Sequence, residues 1–375
     1  MHPLMTIGTE HEYSINDRGF HAQPDSDRIL KSICGRFESE IRFGEVLLGK
    51  ELQKTVLEMV PRQPADELAV LEAQLVKGMD KFNHLFAGRY HLLGLGMHPL
   101  AMVSEIPVWD HDEGEYYEIY DRLFDIRQHG WLNIQALQIN LSYESSRDLV
   151  HLYNKIGSLL PYLIAVTASS PMVEGTLTGT CDNRLVYYRE NQKEIPLICN
   201  RIIPERIRSI TDYRNQQEEI FSELKKRGAD ILCEEWVNSG GVIIRFSRKC
   251  LEIKALDEQE SIHSDMAVCA FVRSLLRCRS LPVERDYDVL LELTEEAIRH
   301  GTEGMRDDLL HLYELAWQHA TGDERHYLPV IKDRIINGSL AEQIRDRITD
   351  GDEIIPILSE LAECLRVNRS YGYHG

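Results

Sequence analysis

Glu10 and Glu12 stand one residue apart in the stretch Thr6-Ile7-Gly8-Thr9-Glu10-His11-Glu12-Tyr13. Read as a strand, this run puts Gly8, Glu10 and Glu12 on one face and Ile7, Thr9, His11 and Tyr13 on the other, which has the composition of a core face. Two carboxylates on one face lie roughly 6–7 Å apart, and their repulsion is about 2–3 kcal/mol at an effective dielectric of about 20. Water offsets that cost if the face is solvated. A cation offsets it if the face is a site.

The same spacing recurs. Gln138 and Asn140 alternate with Leu137, Ile139 and Leu141, and Glu252 and Lys254 alternate with Leu251, Ile253 and Ala255. Glu51 and Glu58 are seven residues apart, which places them on opposite faces of an unbroken strand. Either a bulge or bend intervenes or only one joins the others. Polar residues at i and i+2 also describe the solvated face of an antiparallel sheet. Such faces favour Thr, Lys, Arg and Ser, however, whereas these segments repeatedly offer Glu. Glu10, Glu12, Glu51, Glu58 and Glu252 together suit two or three Mg²⁺ ions, which bind through carboxylates and substrate phosphates. Arg245 and Lys254 suit phosphate oxygens or a substrate carboxylate. His98, in a glycine-rich loop before Pro99, reads equally as a general base or as a structural histidine. His11 reads as packed behind the sheet, Asp257 as ordering a loop and Asp265 as capping a helix.

The elements that must position these groups follow from periodicity and punctuation. Strands are expected near residues 6–15, in one or two pieces over 46–61, just before Gly94, over 134–143, near 231–237 and 241–246 around the turn Asn238-Ser239-Gly240, and over Cys250–Asp257. Helices are expected over 67–86, opened by Pro64 and Asp66, over 147–169, opened by Ser145 and Ser146, and near 215–227. Residues 179–212 read as irregular, and the acidic stretch 108–118 as a loop or mobile lid; its D-x-D-x-G start lacks the other ligands of a calcium loop. From Ser261 onward the chain reads as helix, with caps or breakers near Gly301, Gly322, Gly338 and Gly351. No repeat or long linker divides it. The expectation is one α+β domain over 1–375, with sheet and active site in 1–260 and a helical layer in 261–375.

Composition narrows the function classes. A formal net charge of −19 argues against nucleic acid or an anionic membrane as the main partner. The N-terminus lacks a basic segment followed by an apolar run, and the most apolar stretch, 159–166, is too short to span a bilayer, so the chain reads as cytoplasmic. Its eight cysteines show no C-x-x-C pair and no zinc-like spacing, and read as free thiols.

These segments, in order, resemble the carboxylate-amine ligase and glutamate-cysteine ligase family of glutamine synthetase-like enzymes, over about residues 6–304. TIGTEHEY resembles the family's T-(I/L)-G-x-E-x-E strand, and KELQKTVLEMVP its second acidic segment. GLGMHPL resembles G-x-T-H-P-F, ALQINLSY the central strand, and TASSPMVEGTLTGTCDNR the loop that ends in an arginine. IIRFSRKCLEIKALD resembles R-P-S followed by T-x-E-x-R-x-x-D, and IRHGTEG a late R-x-G-x-x-G element. The resemblance implies an antiparallel sheet curved into an open funnel with helices outside, and ATP-dependent joining of a carboxylate to an amine through an acyl phosphate. Glutamate and cysteine are the default substrates, and a homo-oligomer is compatible with the family. Carried over by position, Glu10, Glu12, Glu51, Glu58 and Glu252 match the metal positions, with Mg²⁺ expected and Mn²⁺ as a substitute. Gln138 and Asn140 match the polar pair facing the nucleotide. Arg184, Arg245 and Lys254 match basic positions near phosphate or substrate carboxylate. The chain departs from the pattern at Lys254, where the family has arginine, at Met97 for threonine, at Val60-Pro61, and in a spacing about two residues short after Arg245.

Overall fold

Ile7, Thr9, His11 and Tyr13 are all buried in strand β1 (Ile7–Asn16), as their alternation predicts. The structure is a computed structural model describing residues 5–199 and 201–372; residues 1–4, the start of the stretch read for a leader, lie outside them. The other strands are β2 (Glu40–Phe43), β3 (Val46–Lys50), β4 (Val56–Pro61), β5 (His91–Leu93), β6 (Ala136–Ser142), β7 (Met172–Val173), β8 (Thr176–Leu177), β9 (Val242–Arg245) and β10 (Cys250–Asp257). Eight of them form an antiparallel sheet in the order β2-β3-β4-β1-β6-β10-β9, with β5 also on β1; β7 and β8 make a separate ribbon.

Register brings the polar positions together. Glu12 pairs across from Glu58, Glu10 from Gln138, and Glu252 from Asn140, so residues distant in sequence share one face of three adjoining strands and their neighbour. Glu51 and Glu58 are not on one strand. β3 ends at Lys50 and the hairpin turns before β4, which removes the parity conflict of a seven-residue spacing. Gly49 sits opposite Glu58, and a Cβ there would come within 3.0 Å of its carboxylate.

The opposite face carries the core. Helix Ser146–Thr167 is opened by Ser145, whose hydroxyl accepts the Asp148 N–H at 3.2 Å, and its second half is buried on every side. It is long and apolar enough to cross a bilayer, and 83% of its apolar window is buried inside the fold, where it serves as a core helix. Helix Ile262–Arg277 is also buried almost throughout, and helices Leu68–Leu85 and Gly322–Asn337 pack on it.

Several expected elements differ. Residues 231–237 form two short 3₁₀ turns, not a strand; Leu232 and Val237 pack with Ile220 and Leu224 of helix Ile210–Lys226, so tertiary burial overrides strand propensity. The strand partner of β9 is accordingly β10. The acidic stretch becomes helix Gly114–Phe124, preceded by an anchored turn in which Trp109 and Ser39 hold Asp112. Helix Asn183–Tyr188 interrupts the region read as irregular and carries Arg184. Helix Leu68–Leu85 starts one residue later than expected and is not capped by Asp66. Its first N–H groups, on Leu68 and Ala69, are accepted by Asp323 at 2.7 and 3.3 Å. Asp265 is no cap either: Ser261 caps helix Ile262–Arg277, and Asp265 faces β1. All eight cysteines are free.

Candidate active site

On the polar face, each strand delivers its carboxylate into a set of fixed donors. Glu12 is buried; its Oε2 accepts the Ala136 N–H and its Oε1 the Gln138 amide, both at 2.9 Å. Glu10 accepts the Asn140 amide at 3.0 Å and an Arg248 guanidinium N–H at 2.7 Å. Glu252 is buried between two cations, with Arg245 bonded to Oε2 and Lys254 3.5 Å from Oε1. Burial pushes its carboxyl up, yet Lys254 and Arg245 hold it below the ordinary range.

The remaining carboxylates lack such compensation. Among the described residues no Lys or Arg forms an ion pair with Glu12, Glu51 or Glu58; Lys50, near Glu51, is engaged with Glu113. Burial and the Glu51 charge push Glu12 up to about 8, against the donors that face it. Burial, then the charges of Glu51, Glu10 and Glu12, hold Glu58 well above its usual range, and burial raises Glu51 as well. The donor set, three carboxylates without an ion-pair partner beside two paired ones, is all oxygen and strongly negative, which fits hard divalent cations.

A cavity of about 340 Å³ adjoins this cluster. Glu12, Glu51, Gln138, Arg184 and Lys254 line its charged side, and aromatic rings, among them Tyr117, Trp131, Tyr188 and Trp236, line the other. Cavities of about 500 and 790 Å³, beside Lys155 and beside Arg347, contain none of these carboxylates.

Arg184 lies beneath the cavity. Its Nε donates to Asp257 at 2.6 Å, both side chains are buried, and its Nη2 has no hydrogen-bond partner among the described residues. Asp257 also accepts the Ser169 N–H at 2.9 Å and the Ser170 hydroxyl at 2.8 Å. Its position depends on a bulge. Between Ile253 and Leu256, β10 advances three residues while β6 advances two, so the alternation inverts and Asp257 joins the face of Glu252. Gly96 makes room for it, since a Cβ there would meet the carboxylate at 2.1 Å.

Sequence and structure comparisons give this arrangement its relatives. The sequence matches glutamate-cysteine ligase family 2 over residues 6–358. The chain belongs to that family. An uncharacterized protein of Archaeoglobus fulgidus is 48% identical over 369 residues, 97% of this family 2 chain and 100% of its own length. A putative glutamate–cysteine ligase 2 of Cronobacter sakazakii is 25% identical over 193 residues, 48% of this chain and 46% of its own. Two solved structures share the fold of family 2 at low identity. A glutamate–cysteine ligase of Francisella tularensis, in complex with AMP, has a TM-score of 0.69 at 11% identity, covering 98% of this chain and 89% of that one. The ligase PafA, in complex with the prokaryotic ubiquitin-like protein Pup, has a TM-score of 0.52 at 11% identity, covering 96% and 72%.

The polar positions that sequence reasoning assigned to this family 2 site fall into separate bonded groups, Glu12 with Gln138, Glu10 with Asn140, and Glu252 with Arg245 and Lys254, with Glu51 and Glu58 in the charge field of Glu10. Gln138 and Asn140 spend their amide N–H groups on Glu12 and Glu10, and Arg184 is locked to Asp257. Arg248 was missed, and Asp257, read as ordering a loop, does so through Ser169 and Ser170 but also holds Arg184, which was not foreseen. Arg248 sits in the β9–β10 turn and reaches across to β1, and Asp257 follows a bulge; neither relation is written in residue spacing. His98 is structural. Its Nδ1 accepts the Leu100 N–H at 3.1 Å, its Nε2–H donates to Asn16 at 2.6 Å, and burial lowers it to about 4, so the ring is neutral.

Proposed function

We propose that this family 2 chain is an ATP- and Mg²⁺-dependent ligase joining a carboxylate, by default the γ-carboxyl of glutamate, to an amine, by default that of cysteine. An acyl phosphate connects the two halves of the reaction, and ADP and phosphate are released. The observation that carries this reading is the crowding of Glu12, Glu51 and Glu58, which form no ion pair with a Lys or Arg among the described residues and are held above the ordinary carboxylate range although Arg184, Lys50 and Lys254 act against it. With Glu10 and Glu252 they make a ligand set for two or three Mg²⁺ ions, for which Mn²⁺ would substitute. When bound, Mg²⁺ supplies charge neutralisation between the triphosphate and the acceptor carboxylate.

The chain's own groups position and neutralise. Oxide is a poor leaving group, so the carboxylate needs phosphorylation before an amine can displace it. Arg245 and Lys254 are the cations we assign to the transferring phosphoryl group, held in place by Glu252. Gln138 and Asn140 fix the rotamers of Glu12 and Glu10 and flank the nucleotide. Arg184, through its unpartnered Nη2, takes a substrate carboxylate or phosphate. The chain works as one catalytic unit, the acidic sheet face forming the wall of an open funnel.

A second reading, the same chemistry with another amine, is favoured by the aromatic wall of the cavity. Tyr117, Trp131, Tyr188 and Trp236 offer apolar area and ring faces that cysteine does not need. Screening amino acid and amine pairs for ADP release, with mass spectrometry of the product, separates the two. Glu10→Gln and Glu252→Gln should abolish amine-dependent ADP release while leaving the circular dichroism spectrum unchanged. Full activity in either variant, or ATP turnover indifferent to every amine, counts against a ligase built on these residues.

A further inference from the structure

A second cluster of ligand atoms lies on the core side of β1, behind the acidic face. His11 Nδ1 is 3.2 Å from Glu258 Oε1 and 3.2 Å from Asp265 Oδ2, and all three residues are fully buried. The three ligand atoms lie within 4.8 Å of one another. No Lys or Arg among the described residues pairs with either carboxylate. One imidazole therefore faces two carboxyls in the dry interior; with both ionised the set is short of positive charge whichever way the ring is protonated, and either a proton held on one carboxyl or a bound cation makes up the difference.

The distances point past a simple ion pair. A single N–H shared between two oxygens leaves each bond weak, and a charge-assisted bond closes to about 2.7–2.9 Å. Nitrogen and oxygen ligands each about 2.1 Å from a shared cation, at tetrahedral to octahedral angles, are spaced about 3.0–3.4 Å apart. The surrounding groups agree. His11 Nε2 is 2.9 Å from the Thr9 hydroxyl, the outer partner that orients a metal-bound imidazole with Nδ1 inward. Neither Asp265 oxygen meets a well-aligned hydrogen-bond donor among the described residues, although His11 Nδ1 lies 3.2 Å from Oδ2. The Tyr13 hydroxyl is also buried and without a hydrogen-bond partner among the described residues, and its ring lies nearly parallel to that of His11 with centroids 6.1 Å apart.

We propose that His11, Glu258 and Asp265 form a second cation site that takes one divalent ion of the transition series, Zn²⁺ or Mn²⁺. Mixed imidazole and carboxylate donors suit these ions better than Mg²⁺. The ion closes the charge deficit and ties helix Ile262–Arg277 to β1. Through Glu258, whose Oε2 accepts the Glu12 N–H at 3.2 Å, it also anchors the backbone that carries Glu12. The contrast with Asp27, Asp110 and His111, the other such grouping, is informative: there Lys54 already inserts its ammonium between the two aspartates, so no ion is needed.

This inference does not rest on the ligase reading, and metal content, not activity, tests it. The purified chain is refolded with Zn²⁺ or Mn²⁺, passed through EDTA and gel filtration, and analysed by plasma mass spectrometry. About one ion per chain should survive in the wild type and in Glu10→Gln, and less than about a tenth in His11→Gln or Asp265→Asn. X-ray absorption at the metal edge of the wild type should show one imidazole nitrogen among oxygen neighbours, which decides the matter if the core variants fail to fold. A wild-type chain that takes up neither ion, or that loses its ion in Glu10→Gln and keeps it in His11→Gln, overturns the proposal.

Discussion

Glu12 receives two good hydrogen bonds and is nonetheless pushed up to about 8, because burial and the Glu51 charge outweigh them. Its negative form is a cost that the metal-free fold carries for the site. Glu12→Gln should therefore stabilise the metal-free chain at pH 8, by on the order of 1–3 kcal/mol, while amine-dependent ADP release falls about 100-fold or more. A melting temperature that stays level or drops argues against the crowding. Gly8 makes a complementary case. A Cβ there would meet only Pro64 and Asn140, at 3.7 and 3.8 Å, so the fold itself has no need of glycine. Gly8→Ala should change stability by less than about 0.5 kcal/mol, and a raised KM for ATP with normal melting would assign the open space to ligand. At this scale alternation made Glu10, Glu12 and Glu252 legible, since each sits on a stretch of strand where the period of two is intact. Asp257 was hidden by the bulge at Lys254-Ala255, which inverts the face without any mark in the residue types.

Elements were legible where their own residues define them and obscure where distant groups do. Helix Ser146–Thr167 carries its cap in Ser145 and its burial in its own apolar run. Helix Leu68–Leu85 borrows its cap from Asp323, more than two hundred residues away. The stretch 231–237 has strand composition, but packing against helix Ile210–Lys226 decides its form. The main joint between elements is equally remote: Glu324, in the first turn of helix Gly322–Asn337, is buried against Arg273 and Arg277 of helix Ile262–Arg277. Despite the raising effect of burial, Arg277 and Arg273 hold its carboxyl down to about 2. A depressed folded-state value stabilises above the unfolded value near 4.5 and is lost as pH falls toward 2. Glu324→Gln leaves two guanidinium groups facing a neutral amide, one of them fully buried. It should cost about 3–5 kcal/mol near neutral pH in denaturant unfolding, with the difference from wild type shrinking as pH drops below 4.5. A constant difference across that range would mean that packing, not charge, holds the joint.

Over the whole molecule, the acidic surplus is not spread evenly. A formal charge of −19 is legible in the sequence, but the concentration of unpaired carboxylates on one sheet face depends on register, which brings β1, β4, β6 and β10 together. That concentration sets how stability responds to pH. Glu12, Glu51 and Glu58 all titrate above the ordinary carboxylate value in the folded chain, so the folded state holds more protons than the unfolded state. Their contribution is fully present below about 4.5 and is lost as pH rises through the folded values, near 8 for Glu12. The His11, Glu258 and Asp265 cluster, also held high, has the same sign. His98 and His129 oppose it, since burial lowers both, but their contribution is complete above the ordinary histidine value of about 6.5. The window from about pH 6.5 to 8 therefore excludes the two opposing histidines and leaves the acidic face together with the His11 cluster. Melting of the metal-free chain should fall steadily across that window, and added Mg²⁺ should restore it, more at pH 8 than at pH 6.5, because binding must displace protons at the lower pH. Calorimetric titration with Mg²⁺ in buffers of different ionisation enthalpy should register proton release at pH 7 that declines above pH 8. Flat melting in the absence of metal, with no buffer dependence of the Mg²⁺ heat, would remove the electrostatic basis for placing cations among these glutamates.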